Sequence, residues 1–196
     1  MHLFLLMLQR VNVLSTFREL GTDRQRRETM IALASTQMLV QLSSMPIAMT
    51  IPSVARHFDV EVSQAAWMII IRLLMLGSTV FLAARMGEKF GHVRVFLLGA
   101  IVMIVGSVLS SVALSLNQLI LWSGVVGVGG AMITANSNAL LAIVFTPEER
   151  GRAFSVPVVS ARIGTLVGLV VFGVFLQFFS AQLGWRLVFL TSLPIG

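Results

Sequence analysis

The chain contains no cysteine, so neither a disulfide framework nor a thiolate metal site is open to it. Charge is scarce. Only 11% of the 196 residues are Asp, Glu, Lys or Arg, against about 25% in a soluble globular chain. The eight acids are Glu19, Asp23, Glu28, Asp59, Glu61, Glu88, Glu148 and Glu149, and none lies inside a long apolar run. The three histidines, His2, His57 and His92, stand outside those runs and at no metal-ligand spacing. No nucleophile–base pair and no phosphate-cradling glycine loop stands out, so the sequence reads as no enzyme, with no cofactor and no metal.

What is present is apolar. Hydrophobic residues make up 57% of the chain, and mean hydropathy is +0.93. Five full apolar runs and the beginning of a sixth can be marked off, at about 30–51, 66–84, 95–114, 119–145, 153–179 and 187–196. Each complete run is long enough for a helix to cross a bilayer. A lone span must satisfy its own backbone hydrogen bonds, so helix is the expected state throughout. The expected fold is therefore an all-α integral membrane protein, with residues 1–29 as a tail and 30–196 as one multi-pass domain. The segment Met1–Leu8 is apolar but too short to span, and it has no cationic flank of the secretory kind.

The formal charge of +6 does not point to nucleic acid, because the cations sit at the ends of apolar runs. Five lie in the tail (Arg10, Arg18, Arg24, Arg26, Arg27). Arg85, Lys89 and Arg94 follow the second run, and Arg150 and Arg152 the fourth. The other connectors hold only Arg56 and Arg186. Ten cations against two place the tail and the even connectors in the cytoplasm.

Only Arg72 and Arg162 are ionisable within the spans. Arg162 lies about 14 Å into its run at 1.5 Å per residue, near the middle of a hydrocarbon layer about 30 Å thick. An arginine there costs about 2.5–3.5 kcal/mol even on lenient insertion scales, so it should face a cavity or a partner. Arg72, about 9 Å from the outer end of its run, could partly snorkel. Arginine keeps its charge and offers a planar fork to carboxylates and phosphates. Both are candidates for a polar interior that takes anionic cargo, or for pairing with acids elsewhere. Gln37 and Gln41 are four apart and share a helix face. Asn136 and Ser123 in the fourth run are further cavity candidates. Pro46 and Pro157 predict local kinks.

The connector Ala84-Arg85-Met86-Gly87-Glu88-Lys89-Phe90-Gly91-His92-Val93-Arg94 resembles the loop signature of the major facilitator superfamily, G-x-L-a-D-r-x-G-r-k. Gly87, Lys89 and Gly91 match its spacing, Glu88 stands for the usual aspartate, and Ala84 and His92 depart. Trp67, Gly127-Val128-Gly129 and Phe145-Thr-Pro-Glu-Glu-Arg-Gly-Arg-Ala153 resemble the same superfamily. Gly164, Gly168 and Gly173 fall where the fourteen-span drug:proton antiporter branch has a glycine-rich fifth helix, and Gly184-Trp185-Arg186 fits the approach to its sixth. The resemblance implies an N-terminal six-helix half of a transporter, cut within the sixth helix. It also implies a gating role for Gly87, Glu88, Lys89, Gly91 and Arg94, and close packing at Gly127, Gly129, Gly164, Gly168 and Gly173.

Several positions depart from that branch. Ser43 stands where antiporters commonly place a first-helix aspartate. Ser123 and Val126 replace the fourth-helix arginine and glutamine, and Leu169 replaces a fifth-helix proline. Arg72 replaces a tyrosine. The implied partners are the lipid bilayer, a small-molecule substrate and a C-terminal half of the same polypeptide; no nucleic acid is expected. The implied place is a bacterial-type inner membrane, with the N-terminus cytoplasmic. Two readings remain open on the residues alone: small-molecule efflux, for which an anionic cargo is one option, or a non-transporting membrane scaffold (or inactive truncated transporter) built on the same helices.

Overall fold

The computed structural model describes residues 24–178. The first twenty-three residues of the tail, Gly184-Trp185-Arg186 and the partial sixth run from 187 lie outside the described residues, as do the side chains of Ser43 and Pro46. Five helices follow one another: α1 (Arg24–Phe58), α2 (Val62–Phe90), α3 (His92–Ser111), α4 (Leu116–Val144) and α5 (Pro147–Phe178). Among the described residues there is no strand. Of these helices, α2, α3, α4 and the Pro147–Val170 part of α5 are each long and apolar enough to cross a membrane.

Each helix begins before its apolar run, because local chemistry at the connectors sets its start. α4 starts after Ser115, whose Oγ accepts the Gln118 backbone N–H at 3.3 Å. At the start of α5 the Thr146 N–H donates to Glu149 Oε2 at 3.4 Å, and Pro147 takes the first helical position, where no amide donor is missed. Arg150 then turns back to the end of α4, donating to the carbonyls of Phe145 at 3.3 Å and Ala142 at 2.6 Å. A cation there satisfies carbonyls that the helix leaves open and opposes its negative end. α2 and α3 are separated by Gly91 alone, at φ 95°, a conformation that side-chain-bearing residues rarely adopt.

α4 lies at the centre of one group, packed most extensively on α2 and α3, while α1 packs on α5. One cluster of buried apolar side chains ties the groups together. It includes Met30, Leu33 and Val40 of α1, Phe96 and Met103 of α3, Val126, Ile133 and Leu141 of α4, and Val156 of α5. A second, with Val54, Ala65, Met68 and Leu119, closes the opposite ends of α1, α2 and α4. The periphery is apolar as well. Leu74, Phe81, Leu82, Leu121, Leu166 and Val170 are each 60% or more exposed. A water-soluble chain does not present so continuous an apolar surface; hydrocarbon is its natural solvent.

Close backbone approach holds the helix pairs. A Cβ on Gly127 of α4 would run into the Arg72 carbonyl of α2, and one on Gly164 of α5 into the Met38 carbonyl of α1. Gly129 gives the same freedom against α3, where a Cβ would stand 2.7 Å from Met103 N and 2.8 Å from the Gly99 carbonyl. Gly168 is buried. Gly173 differs from the packing role expected of it: a Cβ there meets nothing within 4 Å. Small residues let membrane helices gain van der Waals contact where no hydrophobic force draws them together.

Candidate functional site

α1, α2, α4 and α5 enclose an open cavity of about 370 Å³. Its polar wall is Gln37 and Gln41 of α1, Thr134 of α4 and Arg162 of α5; its apolar wall is Val40, Leu73, Leu76, Pro157, Val158 and Ala161. The sequence spacing that put Gln37 and Gln41 on one face brings both into the same hollow. Arg162 is exposed to it. The contact between Gly164 and the Met38 carbonyl places the arginine and the two glutamines on adjoining turns of touching helices. The cavity thus offers a fixed cation, two amides and a hydroxyl against a greasy floor. That composition binds a small organic molecule by its apolar body and orients it by a few polar groups.

The other candidates go elsewhere. Arg72 is buried, 7% exposed, on the side of α2 that packs within the bundle, and it does not line the cavity with Arg162. Ser123 is buried too, and its Oγ has no hydrogen-bond partner among the described residues. Asn136 is fully buried and committed: its Nδ2 donates to the carbonyls of Ala83 at 3.2 Å and Met132 at 2.8 Å. Its Oδ1 lies 2.9 Å from His92 Nδ1. With the amide hydrogens so used, Oδ1 can only accept, so the imidazole carries a proton on Nδ1. Asn136 is a strut between α2, α3 and α4.

The same strut accounts for the loop signature. A Cβ on Gly87 would overlap both Asn136 Oδ1 and His92 Nδ1, so the glycine makes room for that hydrogen bond. Gly91 supplies the turn. Glu88, Lys89 and Arg94 stay exposed at the corner. Sequence reasoning treated His92 only as a departure from the motif, and it missed Thr134, for which a single hydroxyl in an apolar helix gives no signal.

A larger hollow of about 600 Å³ opens at the other ends of the helices, lined by Phe58, Gln64, Trp67 and Asn117 among others. Among the described residues its wall has no ionisable side chain, and it lies between connectors rather than between helix midpoints.

The family model of the Major Facilitator Superfamily matches residues 33–196. The chain belongs to the Major Facilitator Superfamily. It is 28% identical over 145 residues to the riboflavin transporter RibZ of Clostridioides difficile, which covers 74% of this chain and 31% of that protein. It is 29% identical over 178 residues to the multidrug resistance protein Stp of Mycobacterium tuberculosis, covering 89% of this chain and 32% of the relative. Among solved structures, a bacterial homologue of the human lysosomal transporter Spinster, inward-facing and occupied, superposes with a TM-score of 0.73 at 19% identity, over 89% of this chain and 43% of that one. That likeness shows the fold. The chain spans about a third of the length of the curated relatives it matches. It is an all-α, multi-pass membrane chain with the architecture of a major facilitator N-terminal half.

Proposed function

We propose that this chain forms one wall of the translocation path of a small-molecule efflux transporter, and that the cargo is anionic. The observation that carries the reading is the gathering of Arg162, Gln37, Gln41 and Thr134 in one cavity between helix midpoints, with no acid anywhere in the sequence spans to neutralise the arginine. A guanidinium favours a carboxylate or phosphate that fills its fork. The cation distribution supports a cytoplasmic N-terminus in a bacterial plasma membrane. A second half, contributed by the same polypeptide, would close the cavity, as two halves rocking about a midplane site require. Relatives named for riboflavin and for multidrug resistance support a small organic cargo.

The test is export of paired anionic and cationic dyes by the complete transporter, with Arg162→Ala and Arg162→Lys. Loss of preference for the anionic dye in Arg162→Ala, partly kept in Arg162→Lys, is the expected result. Unchanged charge selectivity in both variants rejects the anionic cargo.

A further inference from the structure

A hydroxyl in an apolar helix can close on a carbonyl three or four residues back. Ser110 Oγ does so on the Gly106 carbonyl at 2.8 Å, and Thr165 Oγ1 on the Ala161 carbonyl at 3.1 Å. Asn136 spends its amide between α2, α3 and α4. Gln37, Gln41, Thr134 and Arg162 differ. Among the described residues their side chains make no hydrogen bond, and all four line the same cavity. We infer that the cargo of this cavity is a small planar acid carrying a lactam-type edge, an N–H beside a C=O. The acid rests on the anionic-cargo reading above; the edge is argued from the two amides.

α1 and α5, separated by four connectors, run in the same sense. The Met38 carbonyl lies against Gly164, so Arg162, two residues earlier on α5, is level with the turn that holds Gln37. Helical side chains lean toward the N-terminus, which keeps the guanidinium at that end of the hollow. Gln41 stands one turn further on, about 6 Å along the axis. Thr134 lines the hollow from α4, and Val40, Leu73 and Leu76 supply apolar wall. Charge therefore stands at one end, and the amides follow it along one side. Gln37, Gln41 and Thr134 are half-buried while Arg162 is exposed, so the amides belong to the interior and the cation to the mouth. A second half closing over the cavity meets the cation first.

A carboxamide offers two donors and an acceptor. A hydrocarbon acid would fill the guanidinium fork and leave both amides stripped of water with nothing in exchange, which penalises binding. A ligand of acceptors alone would leave the glutamine oxygens unpaired. A lactam edge meets a carboxamide with two antiparallel hydrogen bonds, N–H to C=O and C=O to N–H, and uses both kinds of group. The volume, about 370 Å³, is near the lower end of the range of about 300–1,000 Å³ for ligand pockets. It suits a few fused rings better than a long chain.

Calorimetric binding to the complete purified transporter tests this with two flat acids of matched size, quinolin-2-one-4-carboxylate (the lactam acid) and naphthoate, and with uncharged quinolin-2-one. The lactam acid should bind about tenfold more tightly than naphthoate. Gln37→Met/Gln41→Met, which keeps side-chain length and removes the amides, should level the two acids and leave both ahead of quinolin-2-one. That retained charge preference shows that the variant is folded. Arg162→Ala should weaken both acids and leave the lactam acid ahead. Equal binding by the two acids, both ahead of quinolin-2-one, would overturn the lactam edge alone. A gap that survives the methionine pair would overturn it too, as when the glutamines are spent on the second half. Quinolin-2-one binding as tightly as its carboxylate would instead overturn the anionic reading, and with it the acid proposed here.

Discussion

His92 Nδ1 and Asn136 Oδ1, forty-four residues apart in the chain, stand 2.9 Å from one another across the cytoplasm-proposed ends of α3 and α4. Asn136 also holds the Ala83 carbonyl of α2, so one buried amide fixes three helix ends and the glycine-bearing corner between two of them.

Replacing Asn136 by leucine should remove these bonds while keeping side-chain volume. The stranded imidazole and carbonyls should cost about 1–3 kcal/mol, read as a lower unfolding midpoint of the detergent-solubilised chain. His92→Ala should cost less, since Nδ2 of Asn136 keeps both its carbonyls. A midpoint unmoved by Asn136→Leu would show that the corner does not depend on the strut.

Gly164 and Gly173 lie nine residues apart on α5 and should respond oppositely to alanine. At Gly164 the new methyl meets the Met38 carbonyl, a backbone atom that cannot step aside, so the helices must separate at a cost of about 1–3 kcal/mol. At Gly173 there is open space, and the change should stay within about 0.5 kcal/mol. Unfolding of the two variants in mixed detergent distinguishes them. Gly127→Ala should behave as Gly164→Ala does.

Arg162→Cys should react with a membrane-impermeant thiol reagent in intact vesicles, because position 162 opens to the cavity. Cysteines at Leu166 and Val170, 64% and 67% exposed but on the apolar periphery, should stay unlabelled. Labelling rates within a factor of about two of one another across the three positions would place Arg162 in lipid, where a charge is costly.

Single cysteines at Asp59 and Glu88 should label from opposite sides of sealed membranes. Asp59 precedes α2 and Glu88 lies in its last turn, at opposite ends of a helix long enough to cross, and both are exposed. Labelling of both from one side would contradict a membrane-crossing α2.

The order and type of the helices were legible because length and apolarity alone decide them in a membrane. Of the glycines expected to pack, Gly127, Gly129 and Gly164 lie where backbones touch, and Gly173 does not. Rotation about each helix axis was the hard part. A soluble helix declares its inward face by the contrast of apolar with polar residues. Here neighbours and lipid are equally apolar, so nothing in the run around Arg72 says that it turns into the bundle while Leu74 turns out. Arg162, Gln37 and Gln41 are gathered because several polar residues shared one wall. Asn136 carried the same polarity and proved to be a strut. The carbonyls of Ala83 and Met132 and the imidazole of His92, far away or a turn back in sequence, distinguish the two cases.

Pro157 stands in the cavity wall five residues before Arg162. Its ring nitrogen bears no hydrogen, so the carbonyl of Ala153, a full turn earlier, has no helical donor. α5 is therefore stitched firmly at its capped beginning and loosely just below the guanidinium. A small bend at that missing stitch would swing the arginine across the hollow without unravelling a single turn.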